Sequence, residues 1–216
     1  MTTAESTLAG RKGAREVTFE ERTENDADDG DVLARARAGD RRAFSVLVRR
    51  HQDGVFRFLL RLVGNRDEAL ELTQDTFVKV FQSLPSWQPE APFRAWLFRI
   101  ARNAALDLLR RRQALGFVAF DELAPADGEA AWPDPAPRPE ERLDDRRRIA
   151  LLDRVLRELP AEQREVLLLR ELEDMSYAEI AAALGVNEGT VKSRLARARA
   201  AALDRFRHHA GEKHNG

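Results

Sequence analysis

Along most of this chain the apolar residues return every third or fourth position, which is the spacing of one helix face and not the two-residue alternation of a strand. From Val32 to Leu62 the recurring positions are Leu33, Ala36, Phe44, Leu47, Val48, Val55, Phe56, Leu59 and Leu60. Gly39 and Asp40 divide them into a short helix and a longer one. The stretch GNRDEALELTQDTFVKVFQSL puts Leu70, Phe77, Val80, Phe81 and Leu84 on an inner face, with Asp67 as the predicted N-cap and Pro85 as the stop. In APFRAWLFRIARNAALDLLRRR an apolar stripe of Phe93, Trp96, Leu97, Ile100, Ala104 and Leu108 leaves Arg99, Arg102 and Asn103 beside or opposite it. Further on, residues 149–159, 161–172, 176–184 and 188–206 read as four more helices. The expected fold is all-α: two small helical domains, at 31–112 and 146–207, joined by a flexible acidic linker.

Charge sharpens this division. The net charge is only -1, but the charges are sorted along the chain. Residues 1–30 are acidic and poor in large apolar groups, too few to offset the entropy of ordering, and are expected to be disordered. Residues 113–145, rich in Pro, Ala and acids, read as the linker, and 208–216, with His208, His209 and His214, as a frayed tail. Arginine accumulates instead at 94–112 and 192–207, where a polyanion is the natural partner.

The second arginine-rich segment carries the clearest motif. Ser176 with Glu179 fits a capping box, Gly185 suits a left-handed helix end, and the GVN turn has the length that joins the two helices of a helix-turn-helix. In the following helix Val191, Leu195, Ala198 and Ala202 face inward. The opposite face holds Gly189, Thr190, Ser193, Ala196, Arg197 and Ala200, flanked by Lys192 and Arg194. Small residues let a helix backbone approach base edges, and serine and arginine supply hydrogen bonds there. A merely solvated face more usually carries Glu–Lys pairs. In the first domain, Trp87 lies in the proline-bounded loop PSWQPEAP, and is expected to be an exposed aromatic on which an unpaired base stacks. The alternative is that it packs on the core.

Absences narrow the function. There is no cysteine, hence no disulfide, thiolate zinc site or thiol nucleophile. No glycine-rich nucleotide pattern and no HExxH motif occur, so no catalytic residue, cofactor, metal or small-molecule substrate is expected. Neither a signal peptide nor an apolar run long enough to span a membrane is present, and the expected location is the cytoplasm. Two rivals stay open at this point: a response-regulator-type protein with the same helix-turn-helix, which needs an alternating strand and helix domain upstream, and a helical interaction protein that never meets DNA.

The segments ELTQDTFVKVFQSLPSW, FRAWLFRIARNAALDLLRRR and LPAEQREVLLLRELEDMSYAEIAAALGVNEGTVKSRLARARAAL together resemble the bacterial RNA polymerase sigma factors, and within them the extracytoplasmic-function group, which keeps only conserved regions 2 and 4. The resemblance implies a transcription initiation factor whose first domain binds the polymerase β′ clamp and melts the -10 element, and whose second reads the -35 element beside the β flap. It implies clamp contacts at Glu71, Gln74 and Asp75, -10 contacts at Trp87, Arg99, Arg102 and Asn103, and -35 contacts at Thr190, Lys192, Ser193, Arg194 and Arg197. The clamp motif often has Asp where this chain has Glu71 and an acid where it has Leu70. Implied partners are core RNA polymerase, promoter DNA and an anti-sigma factor. Elements one and a half turns apart lie ~50 Å from each other. A coil of the linker's length spans about 30 Å on average and on the order of 110 Å when extended.

Overall fold

The computed structural model describes residues 29–115 and 139–212, with side chains described at 29–115 and 149–209. The expected disorder of residues 1–28, most of the linker and the last four residues lies outside them, whereas Asp29 and Gly30, assigned to the same N-terminal segment, are helical. Among the described residues every regular element is helical.

The first unit begins with helix α1, residues 29–37, turned by Gly39 at φ +95° into α2, Arg41–Val63. Asp40 caps α2 by accepting from the backbone N–H groups of Arg42 and Ala43, and Gly64, left-handed at φ +76°, ends it. Helix α3, Arg66–Ser83, is capped by Asn65, whose side chain accepts from the N–H of Glu68. The predicted cap, Asp67, lies inside the first turn instead, where its charge suits the positive end of the helix. Pro85 does not stop the chain at once, since it is tolerated in the first turn of a short 3-10 helix, Leu84–Ser86. Helix α4, Phe93–Ala114, completes the unit.

In the second unit α5 spans Pro139–Glu158 and so takes in seven residues assigned to the linker by composition. Its proline start is the usual place for Pro in a helix. Helix α6, Ala161–Leu167, continues into a π-helical turn, Leu168–Leu172. Helix α7, Tyr177–Leu184, and α8, Glu188–Glu212, follow. The tail expectation fails at its start: His208 and His209 belong to α8, and His209 is buried against Glu158 with Nε2 2.7 Å from Oε1.

The units are not separate in the structure. Leu47, Phe58, Leu62, Trp96, Phe98 and Ala101 of the first belong to the same buried cluster as Leu156, Val166, Leu169, Met175, Ile180 and Leu195 of the second. Helices α4 and α7 pack directly on each other across the divide. Their buried faces include Ala101 and Ala105 on one side and Ala181 and Ala183 on the other, residues small enough for close approach. No helix of the described residues is long and apolar enough to cross a membrane.

Candidate nucleic-acid interface

Local chemistry builds the helix-turn-helix as the sequence predicts. Ser176 Oγ accepts from the N–H of Glu179, and Glu179 Oε2 accepts from the N–H of Ser176, closing the capping box. Gly185 at φ +68° ends α7, and its N–H donates to Ala181 O. Asn187 then accepts from both the N–H and the hydroxyl of Thr190 at 2.8 and 3.0 Å, fixing the start of α8. With Val191, Leu195 and Ala198 buried, Lys192, Ser193, Ala196 and Arg197 stand exposed on the outer face. Arg197 Nε donates to Ser193 O at 3.3 Å, a bond within the exposed face that a ligand can replace. Thr190 is part of the cap and only half exposed.

Arg194 departs from this face. Its guanidinium turns inward to within 3.9 Å of Glu165 Oε1. Arg199, which the sequence reading did not single out, is exposed and paired with Glu171 through Nη2 at 2.6 Å.

In the first unit Arg99 and Asn103, one turn apart on α4, are exposed. Arg102 is not free: Nε donates to Glu165 Oε2 at 2.7 Å and Nη2 to Oε1 at 3.1 Å, a bidentate pair. Trp87 corrects a clear expectation. It is 8 % exposed, its ring 5.4 Å from Trp96 and 6.1 Å from Phe93, with the Arg37 guanidinium 5.8 Å from its centroid. The 3-10 turn Leu84–Ser86 leads the loop back towards α4, so the ring expected to be exposed is buried here, as in the alternative reading.

Glu71, Gln74 and Asp75 are exposed on α3, as a partner surface requires. Leu70 and Phe81, assigned to the inner face by periodicity, are instead exposed along with Val78. Phe81 meets Phe44 edge-on at 5.0 Å. These apolar side chains border the polar triad, making one mixed face of the kind that protein interfaces use.

The two arginine helices meet at Glu165, which is 0 % exposed. Burial pushes its carboxyl up, the Arg102 bond and the charges of Arg102 and Arg194 pull it back, and the sum remains above the ordinary glutamate value. Beside it Arg164 is also buried and donates to Leu62 O of α2 at 2.8 Å, and to Arg157 O and Leu159 O of its own unit. Burial lowers its pKa to about 10, so it stays charged at neutral pH. A second buried acid, Glu173, takes Arg57 at 3.5 Å and Arg94 at 3.3 Å, and its backbone carbonyl accepts from Arg94 as well. Sequence reasoning missed both acids. The available signal was position: Glu165 falls on the same helical stripe as Leu168, Leu169 and Leu172, where a lone carboxylate needs a partner.

A profile of Sigma-70 region 2 matches residues 47–115, and one of Sigma-70, region 4 matches 149–201. The first unit therefore matches a helical region, and no described strand there suits a response-regulator receiver. The ECF RNA polymerase sigma factor SigE of Mycolicibacterium smegmatis is 42% identical over 77% of this chain and 62% of its own length, so the chain spans under two thirds of that relative. RNA polymerase sigma factor CnrH of Cupriavidus metallidurans is 34% identical over 78% of this chain and 89% of its own. A solved structure of CnrH with the cytosolic domain of CnrY is similar to this fold with a TM-score of 0.60, at 32% identity, over 82% of this chain and 95% of that one. The sigma factor RpoE of Bartonella quintana, solved with the anti-sigma factor NepR, gives 0.60 at 26% identity over 76% and 96%.

Proposed function

The chain belongs to the sigma-70 family of transcription initiation factors, in its extracytoplasmic-function group, and from that premise we propose how its surfaces divide the work of promoter recognition. The exposed face of α8, with Lys192, Ser193 and Arg197 and with Thr190 at its edge, enters the major groove of the -35 element. Arg197 and Ser193 reach base edges, and Lys192 meets phosphate. Arg99 and Asn103 on α4, joined by Arg102 once it is released, contact the -10 element. The mixed face of α3 around Glu71, Gln74 and Asp75 takes the β′ clamp of core RNA polymerase, and the second unit lies by the β flap. An anti-sigma factor restrains the chain, a reading supported by the complexes in which CnrH and RpoE were solved. It acts in the cytoplasm, where polymerase and DNA are, and by binding alone: recognition and strand capture need no covalent step from its side chains.

The observation that carries this reading is the exposed Lys192–Ser193–Arg197 face at the start of a capped second helix. The test is reconstitution with core polymerase on fragmented genomic DNA, followed by mapping of transcript 5′ ends. Discrete starts preceded by two shared sequence blocks are expected. Starts no different from those of core polymerase alone would reject the reading.

A further inference from the structure

We propose that Lys192 is an acylation site, at which transfer of an acetyl group from an acyl phosphate removes one positive charge from the groove-facing side of α8 and lowers promoter affinity. The inference rests on the reading of α8 as the helix that enters the -35 element. The chain uses arginine almost throughout: of its 36 basic residues only Lys12, Lys79, Lys192 and Lys213 are lysine. The distinction is chemical. A guanidinium stays protonated and inert towards acyl donors at neutral pH, whereas a lysine amine offers a lone pair once its proton is lost. In the segment TVKSRLARARA, position 192 is the one cation that such a donor can neutralise.

The surroundings of Lys192 fit that chemistry. It is exposed, and among the described residues its ammonium is held by no carboxylate or carbonyl; it lies 5.8 Å from the centre of the Tyr177 ring. The neighbouring arginines are each engaged. Arg194 turns to Glu165, Arg197 Nε donates to Ser193 O at 3.3 Å, Arg199 Nη2 to Glu171 Oε1 at 2.6 Å, and Arg170 Nη1 to Met175 O at 2.8 Å. Arg170 also stands 5.4 Å from the centre of the Tyr177 ring, so two cations share one aromatic side chain, and their field draws an anionic donor to the amine. In the reaction the uncharged Nζ attacks the acyl carbon and a C–N bond forms. The bond from that carbon to the phosphate oxygen breaks, inorganic phosphate leaves with the electron pair, and the proton shed by the new amide nitrogen goes to water. The product is a neutral amide, with neither the charge that meets DNA phosphate nor the attraction to the Tyr177 face. The fold does not depend on that charge, because Val191, Leu195 and Ala198 fix the inner side of α8 and Arg170 keeps the ring.

The full chain and its Lys192→Arg variant are each incubated with acetyl phosphate, freed of the reagent and mapped by mass spectrometry. Each is then assembled with core polymerase on a fluorescein-labelled promoter fragment carrying one of the mapped starts, and binding is read by anisotropy across a salt series. The site predicts acetyl-Lys192 in the parent. It also predicts promoter binding about five-fold weaker at about 0.15 M salt, with a salt slope shallower by ~0.9, the share of one phosphate contact. The treated Lys192→Arg variant is expected to bind as its own untreated sample does. Lys192 left unmodified overturns the site. An equal loss in the treated variant assigns the effect to other lysines and overturns the switch, as does unchanged promoter binding by the acetylated parent. Arg197→Ala separates these failures from that of the reading beneath them. If Arg197→Ala binds the fragment as the parent does, α8 is not the reading helix; if it weakens binding while acetylation of Lys192 does not, the acylation switch alone fails.

Discussion

Helices α4 and α8 have nearly the same kind of sequence, arginines and small residues around an apolar stripe, yet they present it differently. On α8 the face predicted to meet DNA is open, with Lys192, Ser193 and Arg197 exposed and only Arg194 drawn inward. On α4 the central arginine, Arg102, is clasped by Glu165, and the neighbouring loop has closed its tryptophan into the core. Periodicity ranks the faces of a helix by what they avoid, which is water, and it succeeds where the other side of the helix meets only solvent. It cannot report that a second unit docks on the polar side and brings its own buried acid.

The strongest way to break this comparison is Trp87→Ala. If the ring packs as seen between Trp96 and Phe93, its removal destabilises the chain by about 3–5 kcal/mol, with Trp87→Phe losing much less. Thermal denaturation followed by circular dichroism decides it. An unshifted midpoint together with impaired promoter opening would return Trp87 to the base-capture role that the sequence suggested.

On the open side, Arg197→Ala is expected to weaken binding to the upstream element by ~1–3 kcal/mol and to relax its preference there. Competition between specific and scrambled duplexes measures both, and equal loss on the two would make Arg197 a phosphate contact only.

Two buried carboxylates separate the internal holds of the first unit from those between units by the sign of their pH response. Asp29 of α1 is disfavoured by burial, but hydrogen bonds from His51 and Arg50, with their charges, more than reverse this and hold its carboxyl below the ordinary value. Its contribution is therefore present above the unfolded value, about 3.9, and is lost as pH falls through the depressed one. Glu165 is shifted the other way. Its ionised form weighs against docking above its raised value, and that penalty lifts as pH falls towards about 4.3. Acid that neutralises Glu165 should thus leave the packing of the two units in place, before stronger acid loosens α1. Asp29→Asn should lower stability by about 1–2 kcal/mol at neutral pH and flatten the acid limb of the melting curve. A melting midpoint that falls with pH as steeply in that variant as in the parent removes Asp29 from the account.

The smallest effect is expected at the α3 face. Asp75→Lys should weaken binding to core polymerase about five-fold, near 1 kcal/mol, and leave duplex binding by α8 unchanged. A competition assay against a labelled sigma factor for limiting core enzyme reads this directly, and unchanged competition would discard the face.

Much of the fold was legible because its signals are local. The capping box at Ser176 and Glu179, the left-handed Gly185 and the break at Gly39 and Asp40 each act over a few residues, and each stands where the sequence put it. The same holds for the inner stripe of α8, at Val191, Leu195 and Ala198. The misses have other causes. Leu70 and Phe81 are apolar and spaced like the core residues, but they stand 41% and 44% exposed, because a three-to-four spacing does not by itself say which of two apolar strips meets the neighbouring helices. Arg102 depends on Glu165, far away in the chain, Trp87 depends on a short loop that folds its ring onto nearby Phe93 and Trp96, and the composition that marked 113–145 as a linker did not reveal that a helix begins at Pro139. The role of Glu165 was invisible for the same reason, since its partners lie 63 positions back and, in Arg194, on a later helix.

The division of labour between the two helices is tested most directly by photo-crosslinking within the polymerase–promoter complex. A photoreactive amino acid is placed at Ala196, on the exposed face of α8, or at Arg99, on the exposed face of α4, and the crosslinked nucleotides are mapped. The account predicts that position 196 marks the upstream element and position 99 the downstream one, ~50 Å away along the duplex. Crosslinks from both positions to one element, or from position 196 to polymerase alone, would contradict it.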